Sequence, residues 1–169
     1  GWSALHLCMS QEQFKLGNKI LKLPEINVNI RLSNGNTPLH YITTARFDKD
    51  IIVLQLKTVK KLIKHGANVN IKNQRGETPL HIACKCGASK IAQIMLNTQA
   101  NPNEQTKKLK TPLHYEKKKK NSQVISVLCS AGADPTLTCK RNVSALDLVK
   151  SDPEIFPVLL EYFLSNNGL

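Results

Sequence analysis

The sequence predicts an all-α fold, a solenoid of stacked helix–turn–helix units, and the prediction depends on two repeated motifs that share one phase. The tetrapeptide Thr-Pro-Leu-His recurs at 37–40, 78–81 and 111–114, with degenerate copies at 3–6 and 144–147. A second motif, Gly-Ala-Asn-Val-Asn at 66–70, recurs in altered form at 99–103 and 132–135. The last two copies follow the histidine of the preceding tetrapeptide at one and the same distance. A fixed period of this kind is typical of repeat architectures.

Composition agrees with a folded chain and argues against several classes of protein. Hydrophobic residues make up 41% and aromatic residues 5% of the 169 residues, so aliphatic side chains must form most of the core. Five cysteines form no pairing framework, which favours reduced thiols inside a cell. We find no apolar run long enough to span a bilayer and no signal-like segment at the amino end. The net charge of +12 comes from 20 lysines and 4 arginines, and scarce arginine weakens the case for base recognition.

Both motifs contain residues suited to helix ends. Threonine can cap the helix that the tetrapeptide opens, and proline can take the first helical position, where its missing N–H is harmless. The leucine that follows is expected to face the layer between units. Gly66 and Gly132 stand where a second helix should end in the left-handed conformation. Gly35 and Gly76, two residues before the threonine, suit a turn that needs positive φ.

These motifs resemble the ankyrin repeat family, and the resemblance covers essentially the whole chain. It implies a single domain, 1–169, of stacked helix pairs with short β-hairpin-like fingers between them. The expected units are 1–30 (a partial first repeat), 31–71 (with an insertion), 72–104, 105–137 and 138–169. Each pair is too small to bury its apolar face alone, so neighbouring units must stabilise one another. The incomplete first unit suggests a piece of a longer chain.

The histidines of the repeats form a regular ladder at His6, His40, His81 and His114. A metal or proton-relay line is one interpretation, but neighbouring positions would lie about one repeat apart, too far for a single ion. We therefore expect each imidazole to satisfy hydroxyl and backbone groups at the start of its helix. We also predict no cofactor and no catalysis, because no Ser/His/Asp or Cys/His arrangement and no phosphate-binding loop can be assembled.

The five cysteines divide into two expected groups. Cys8, Cys84 and Cys129 fall where small buried side chains belong, so we expect them in the core. Cys86 and Cys139 are expected to be exposed.

An eight-residue excess interrupts the second unit, where Gly66 lies farther from the tetrapeptide histidine than its equivalents do in the third and fourth units. The phase of the motifs places this excess within 41–57, between the first helix and the core of the second. It is either a tolerated loop insertion or a specificity element with Phe47 as an apolar anchor.

The fourth unit departs from the family's pattern through its charge. Seven lysines lie between Lys107 and Lys120. Glu116 and Lys117 stand where the family has small residues, so we expect a distorted first helix. Leu109 replaces the glycine of the finger, which leaves that turn in doubt. The lysine run is either a solvated face or a surface for an anionic partner.

The last unit is also atypical. Asp147 replaces the ladder histidine, and Asn142 replaces the finger glycine, although asparagine tolerates the left-handed region better than most residues. Asp152 and the proline after it predict the start of a final, strongly apolar helix.

Together these features predict a non-catalytic module that binds another protein, as part of a larger intracellular scaffold or regulator, in the cytoplasm or alternatively in the nucleus. The resemblance implies contact through finger tips and first helices, with Tyr41 and Tyr115 as the energetic anchors. The candidate partner-binding residues are Arg31, Leu32, Asn34, Tyr41, Thr44, Phe47, Lys72, Asn73, Arg75, Lys85, Cys86, Lys107, Lys108, Tyr115, Lys118, Lys140 and Arg141. The expected partner is another protein, with an acidic surface as one candidate, and not a small-molecule substrate.

Two alternatives stay open from the sequence. The repeats could target or regulate an enzyme domain elsewhere in the chain. The lysine-rich surface could instead bind nucleic acid or an anionic membrane, in which case the affinity would fall steeply with added salt.

Overall fold

The structure is a computed structural model that describes residues 1–44, 49–118 and 122–166. The described residues are helical, which confirms the predicted fold class. The α-helices are α1 (Ala4–Ser10), α2 (Phe14–Ile20), α3 (Pro38–Ile42), α4 (Lys49–Lys64), α5 (Pro79–Cys86), α6 (Ser89–Leu96), α7 (Ser122–Ser130), α8 (Ala145–Val149) and α9 (Ile155–Asn166). A 3-10 helix, Pro112–Lys118, lies between α6 and α7.

The helices pack as pairs that follow one another along the chain. In order, the pairs are α1 with α2, α3 with α4, α5 with α6, the 3-10 helix with α7, and α8 with α9, and we number them one to five. First helices contact the first helices of the next pair, and second helices contact second helices, along the whole stack. Leu39, Leu80 and Leu113 of the tetrapeptides are 1%, 0% and 4% exposed, so they form the layers between pairs as expected.

The helices begin at the caps that the sequence predicted. Thr37 and Thr78 each form a capping box with the histidine three residues later, and proline occupies the first turn of both helices. Ser144 forms the same box with Asp147, whose carboxylate replaces the imidazole. At the start of α9 the Asp152 carboxylate accepts two backbone N–H groups, at 3.0 and 3.2 Å.

The ladder histidines tie each helix pair to the next finger. The Nδ1 of His40 accepts the N–H of Thr37 at 3.0 Å, and its Nε2 lies 3.2 Å from the carbonyl oxygen of Glu77. The corresponding Nε2 contacts join His6 to Asn36, His81 to Lys110 and His114 to Val143 at 3.0–3.1 Å. A carbonyl can only accept, so Nε2 carries the proton, and Nδ1, which accepts a backbone N–H in all four histidines, carries none; each imidazole is therefore neutral. The expected local contacts of these histidines are therefore present.

Tight turns close the fingers at 32–36, 73–77, 106–110 and 139–143, and we number them two to five by the helix pair that follows. The N–H of the first residue of each turn donates to the carbonyl of the fifth at 2.9–3.0 Å. The fourth residue always has positive φ: Gly35 (79°), Gly76 (76°), Leu109 (56°) and Asn142 (52°). The doubt about the turn at Leu109 is thus resolved, because the same hydrogen bonds hold leucine in the left-handed region.

Consecutive fingers are joined through their backbones. Gln74 N–H donates to the carbonyl of Asn34 at 2.9 Å, and the equivalent bonds run from Lys107 to Arg75 and from Lys140 to Lys108 at 3.1 Å. Within the described ranges, the only isolated β-bridge joins Thr138 and Ser144 in antiparallel orientation. The fingers therefore form a continuous hydrogen-bonded ribbon, and we call it the finger ribbon.

A second ladder, formed by asparagines, escaped the sequence analysis. Asn29 donates from its side chain to the carbonyl of Gly66 at 2.8 Å, and its Oδ1 accepts the N–H of Asn68 at 2.8 Å. Asn70 and Asn103 repeat both contacts with the next pair, at 2.7–3.0 Å. The signal was available, because Asn29 ends a degenerate copy of the second motif, Glu-Ile-Asn-Val-Asn, at 25–29.

The second pair is distinguished by the length of α4. This helix has 16 residues, whereas α6 and α7 have 8 and 9. When Gly66 and Gln99 are aligned as equivalent positions, α4 begins seven positions earlier than α6, so the additional residues extend its amino end. Buried Gln55 in this extension donates to the carbonyl of Ile42 at 2.6 Å and so fixes it to α3. Phe47 lies outside the described residues.

The fourth pair opens with a 3-10 helix, where the other described pairs open with α-helices. This distortion was expected from the charged residues that replace small ones at the end of the tetrapeptide. A 3-10 helix places its side chains three to a turn and so alters the face that they present.

The cysteines agree with the sequence analysis at all but two positions. Cys8, Cys84 and Cys129 are buried as expected, and Cys86 is half-buried. Cys139 was expected to be exposed, but it is 6% exposed. It begins the fifth finger, and a hydrogen bond from the backbone N–H of Arg141 holds its thiol in the turn and lowers its pKa.

Candidate functional site

Most of the predicted partner-binding residues share the finger ribbon and the first helices beside it. Ten of them are exposed: Arg31, Asn34, Thr44, Lys72, Arg75, Lys85, Lys107, Lys108, Lys140 and Arg141. Leu32, Tyr41, Cys86 and Tyr115 are half-buried. Lys118 ends the 3-10 helix, and its side chain lies outside the description, as does the whole of Phe47.

Asn73 is the predicted site residue that the structure does not present to a partner. It is 6% exposed, and its Oδ1 accepts the N–H groups of Arg75 and Glu77 at 2.9 and 3.0 Å. Its Nδ2 donates to Asn36 and to the Glu77 carboxylate at 3.0 and 3.2 Å. The hydrogen bonds of this side chain hold the third finger together. The prediction that Asn73 contacts a partner was therefore wrong for this residue.

Cationic side chains follow the finger ribbon at equivalent positions. The finger tips carry Arg75, Lys108 and Arg141 in fingers three, four and five, and Lys107 and Lys140 precede the last two tips. The backbone bonds between fingers hold these tips in line. Among the described residues, the ion pairs are Lys72 with Glu104 and Arg75 with Glu77. The tips of fingers four and five therefore carry positive charge that no described carboxylate pairs.

Tyr115 lies at the base of the fourth finger, in the row formed by the first helices of the pairs. Its ring meets the His81 ring edge-on at a centroid distance of 5.9 Å, and its hydroxyl donates to the Glu77 carboxylate at 3.2 Å. The Lys110 ammonium lies 5.5 Å from the ring centroid, within the range of a cation–π contact. Burial and the neighbouring Glu77 carboxylate raise the pKa of Tyr115 to about 12, so the phenol stays a hydrogen-bond donor.

Glu77 is a buried carboxylate that organises this part of the surface. Burial alone would raise its pKa. A hydrogen bond from the Asn73 side chain and the charge of Arg75 outweigh this effect, so the pKa of Glu77 is lowered. Its Oε2 lies 3.3 Å from Arg75 Nε. One carboxylate thus fixes both the base of a finger tip and the hydroxyl of Tyr115.

Tyr41 repeats the arrangement of Tyr115 in the second pair. Its ring meets the His6 ring edge-on at 5.8 Å, and its hydroxyl accepts a hydrogen bond from Asn34 of the second finger at 3.2 Å. Trp2, which is 50% exposed, packs on the same ring at 4.9 Å. Both tyrosines that the sequence predicted as anchors therefore lie in one row and face the ladder histidine of the preceding pair.

Other members of the same row were not predicted from the sequence. Ile82 and Leu148 occupy the position of Tyr41 and Tyr115 in the third and fifth pairs, and both are half-buried. Leu7 holds the position in the first pair and is 44% exposed. The repeat phase was the signal that could have identified them, because the spacing from the tyrosines is fixed.

The described ranges also bear on two other possibilities, a metal site and a membrane-spanning helix. They contain no group of three His, Cys, Asp or Glu residues able to hold a metal ion. None of their helices has the length and the apolar character needed to cross a membrane.

Comparison with known proteins completes the description of the site. A family model of ankyrin repeats, in three copies, matches residues 50–139, more than half of the chain. No curated protein matches the sequence at a significant level. Ankyrin repeats are generally protein–protein interaction modules and are typically non-catalytic. The chain belongs to the ankyrin repeat family.

Proposed function

We propose that this protein binds an acidic region of another protein along the finger ribbon, between the third and fifth fingers. The observation that carries the proposal is the line of cations at Lys107, Lys108, Lys140 and Arg141, none of which pairs with a described carboxylate. These side chains are exposed; Lys107 and Lys108 line a cavity with half-buried Tyr115, and Lys140 and Arg141 line the next one with half-buried Leu148. Complementary charge steers encounter and raises the association rate, while a half-buried aromatic residue supplies apolar contact area.

A protein partner explains this surface better than nucleic acid does. The apolar row beside the cations, with Ile82, Tyr115 and Leu148 half-buried, provides hydrophobic contacts that a phosphate backbone would not use. Arginine, which reads base edges by paired hydrogen bonds, occurs only four times in the chain.

Selection of binding peptides from a random library displayed on phage would test the proposal. We expect the selected peptides to be rich in Asp and Glu, and we expect their association rate to fall as the screening length shortens to about 8 Å at physiological salt. In the double variant Lys107→Glu/Lys108→Glu the rate should drop by about tenfold or more at low salt.

The matched control is Lys57→Glu/Lys60→Glu, which makes the same charge change at two exposed positions on α4. This control should leave the rate within about twofold, since distant exposed charges are screened. Equal losses in both variants would show that net charge, not the finger ribbon, attracts the peptides. Selected peptides without acidic enrichment would contradict the acidic partner.

A further inference from the structure

Two cavities of the same design lie one repeat apart on the finger ribbon. The first, of about 400 Å³, is lined by Tyr115 on the helix side and by Arg75 and Lys107 on the finger side. The second, of about 380 Å³, is lined by Leu148 on the helix side and by Lys140 and Arg141 on the finger side. Lys108 and Lys110 line both cavities, so the two share a cationic wall.

The two cavities correspond residue by residue. A shift of 33 positions carries Tyr115 to Leu148 and the tip residues Arg75 and Lys108 to Lys108 and Arg141. Together the cavities form a groove in which Tyr115 and Leu148 supply apolar surface on the helix side, next to Lys85 and His114, and the fingers supply a cationic wall. The one carboxylate that lines the first cavity, Glu77, is already paired with Arg75, and none lines the described part of the second.

The spacing of the two cavities along the groove restricts the backbone conformation of a bound segment. Packed helices lie about 8–10 Å apart, so Tyr115 and Leu148 should be separated by about the same distance. A β-strand brings side chains to one face about every 6.7 Å, which does not match. A polyproline II segment has three residues per turn and a rise of about 3.1 Å, and thus returns to the same face about every 9.3 Å.

Size argues against a helical occupant. An α-helix of about 10 Å diameter fills roughly 800 Å³ over a length of about 10 Å, about twice the volume of either cavity. One turn of polyproline II is slimmer, and its three faces differ by about 120°. One face can meet the apolar wall and the next can meet the cationic wall in every cavity.

We propose that this groove binds an acidic protein segment in the polyproline II conformation, with an apolar side chain at every third position. The apolar side chains contact Tyr115 and Leu148, and carboxylates beside them contact Lys108 and Lys110. The proposal rests on the proposed function and adds the conformation and sequence period of the partner.

Two synthetic peptides of identical composition test the period on the whole chain. The first is fluorescein-labelled (Pro-Glu-Leu)4, which cannot form an α-helix because proline occupies every third position. The second contains the same residues with the four leucines placed in two adjacent pairs. Fluorescence anisotropy should show the regular peptide binding about tenfold more tightly, because the shuffled peptide leaves one cavity without an apolar contact.

Variants of the protein locate the binding. Tyr115→Ala and Leu148→Ala should each weaken the regular peptide by about tenfold, whereas Tyr115→Phe, which keeps the ring, should bind as the parent does. Leu16→Ala removes an exposed leucine from α2, remote from the groove, and should change nothing. Thermal unfolding followed by circular dichroism confirms that each variant is folded at the assay temperature.

Each result bears on the proposal. Equal affinity for the two peptides overturns it, as does failure of both to bind, or tighter binding of a helical peptide with leucine at every seventh position. The proposed function fails separately, when charge reversal on the fingers leaves selected acidic ligands unaffected.

Discussion

Each ladder histidine accepts a backbone N–H at the cap of its own helix only while the imidazole is neutral, whereas its Nε2–H donates to the next finger in either protonation state. Protonation of Nδ1 in His40 would turn the acceptor of the Thr37 N–H into a second donor and break that bond. Burial lowers the pKa of His40 to about 4, and it lowers the pKa values of His6, His81 and His114 as well. Four equivalent groups thus favour the folded state at neutral pH.

This arrangement predicts that the stack loses stability in mild acid. A histidine with a folded pKa below its usual 6.5 contributes stability that is present above that value and is lost as the pH falls towards the folded pKa. For His40 the loss between pH 6.5 and about 4 is on the order of 3 kcal/mol. Urea unfolding at pH 7.5, 6.5, 5.5 and 4.5 measures it.

His40→Gln should reduce this pH dependence by the share that His40 contributes, and the other three ladder histidines should retain the rest. If the free energy of unfolding of His40→Gln depended on pH as strongly as that of the parent, the role given to the ladder would be contradicted.

At the scale of the elements, the sequence predicted those features that local chemistry determines. Threonine caps, first-turn prolines and the glycines of the second and third fingers act within a few residues, so Thr37, Thr78, Gly35 and Gly76 were placed correctly. The burial of Asn73 and Cys139 was missed, because these residues give no hydrophobic signal, although both begin a finger turn, as buried Thr106 does.

The long start of α4 depends on a contact between the two helices of its own pair, and the shared cavities depend on contacts between pairs. Gln55 is buried because it reaches the carbonyl of Ile42, and Leu148 joins the groove because it stacks one repeat beyond Tyr115. Such contacts follow from the assembled stack and not from the local sequence. The predicted partner-binding residues therefore include most of the cations that line the two cavities but only part of the apolar row.

Two glycines with similar backbone conformation should respond differently to alanine. Gly66 and Gly76 have φ values of 87° and 76°. A Cβ at Gly66 meets nothing within 4 Å, whereas one at Gly76 lies 2.7 Å from the backbone nitrogen of Lys107 in the next finger. Gly66→Ala should cost about 1 kcal/mol from strain alone, and Gly76→Ala should cost at least about 2 kcal/mol, since the fingers must also separate.

Equilibrium unfolding in urea gives both values, and amide exchange of Lys107 reports on the bond between fingers. Equal losses in the two variants would show that the close approach of the third and fourth fingers contributes nothing to stability.

On the scale of the whole molecule, contacts between neighbouring pairs make the stack nearly one-dimensional. The core forms a column of layers such as that around Leu80, which is fully buried between the second and fourth pairs. The fifth pair packs chiefly against the fourth among the described pairs, and its α9 retains exposed apolar side chains at Val158 and Leu164. Among the described residues, pairs inside the stack are therefore held on two sides, whereas the contacts of the fifth pair lie on the side of the fourth.

The same truncation should therefore have different consequences at two positions. Leu80→Ala and Leu159→Ala remove the same atoms from side chains that are 0% and 1% exposed, and each should cost about 2–5 kcal/mol. Loss at Leu159 weakens the single interface of the fifth pair, so α8 and α9 should open while α1 to α6 keep their protection. Loss at Leu80 weakens the interfaces on both sides of α5, so protection should fall along the entire stack. Hydrogen exchange followed by mass spectrometry distinguishes these patterns, and a uniform loss of protection in both variants would mean that the chain unfolds as one globule.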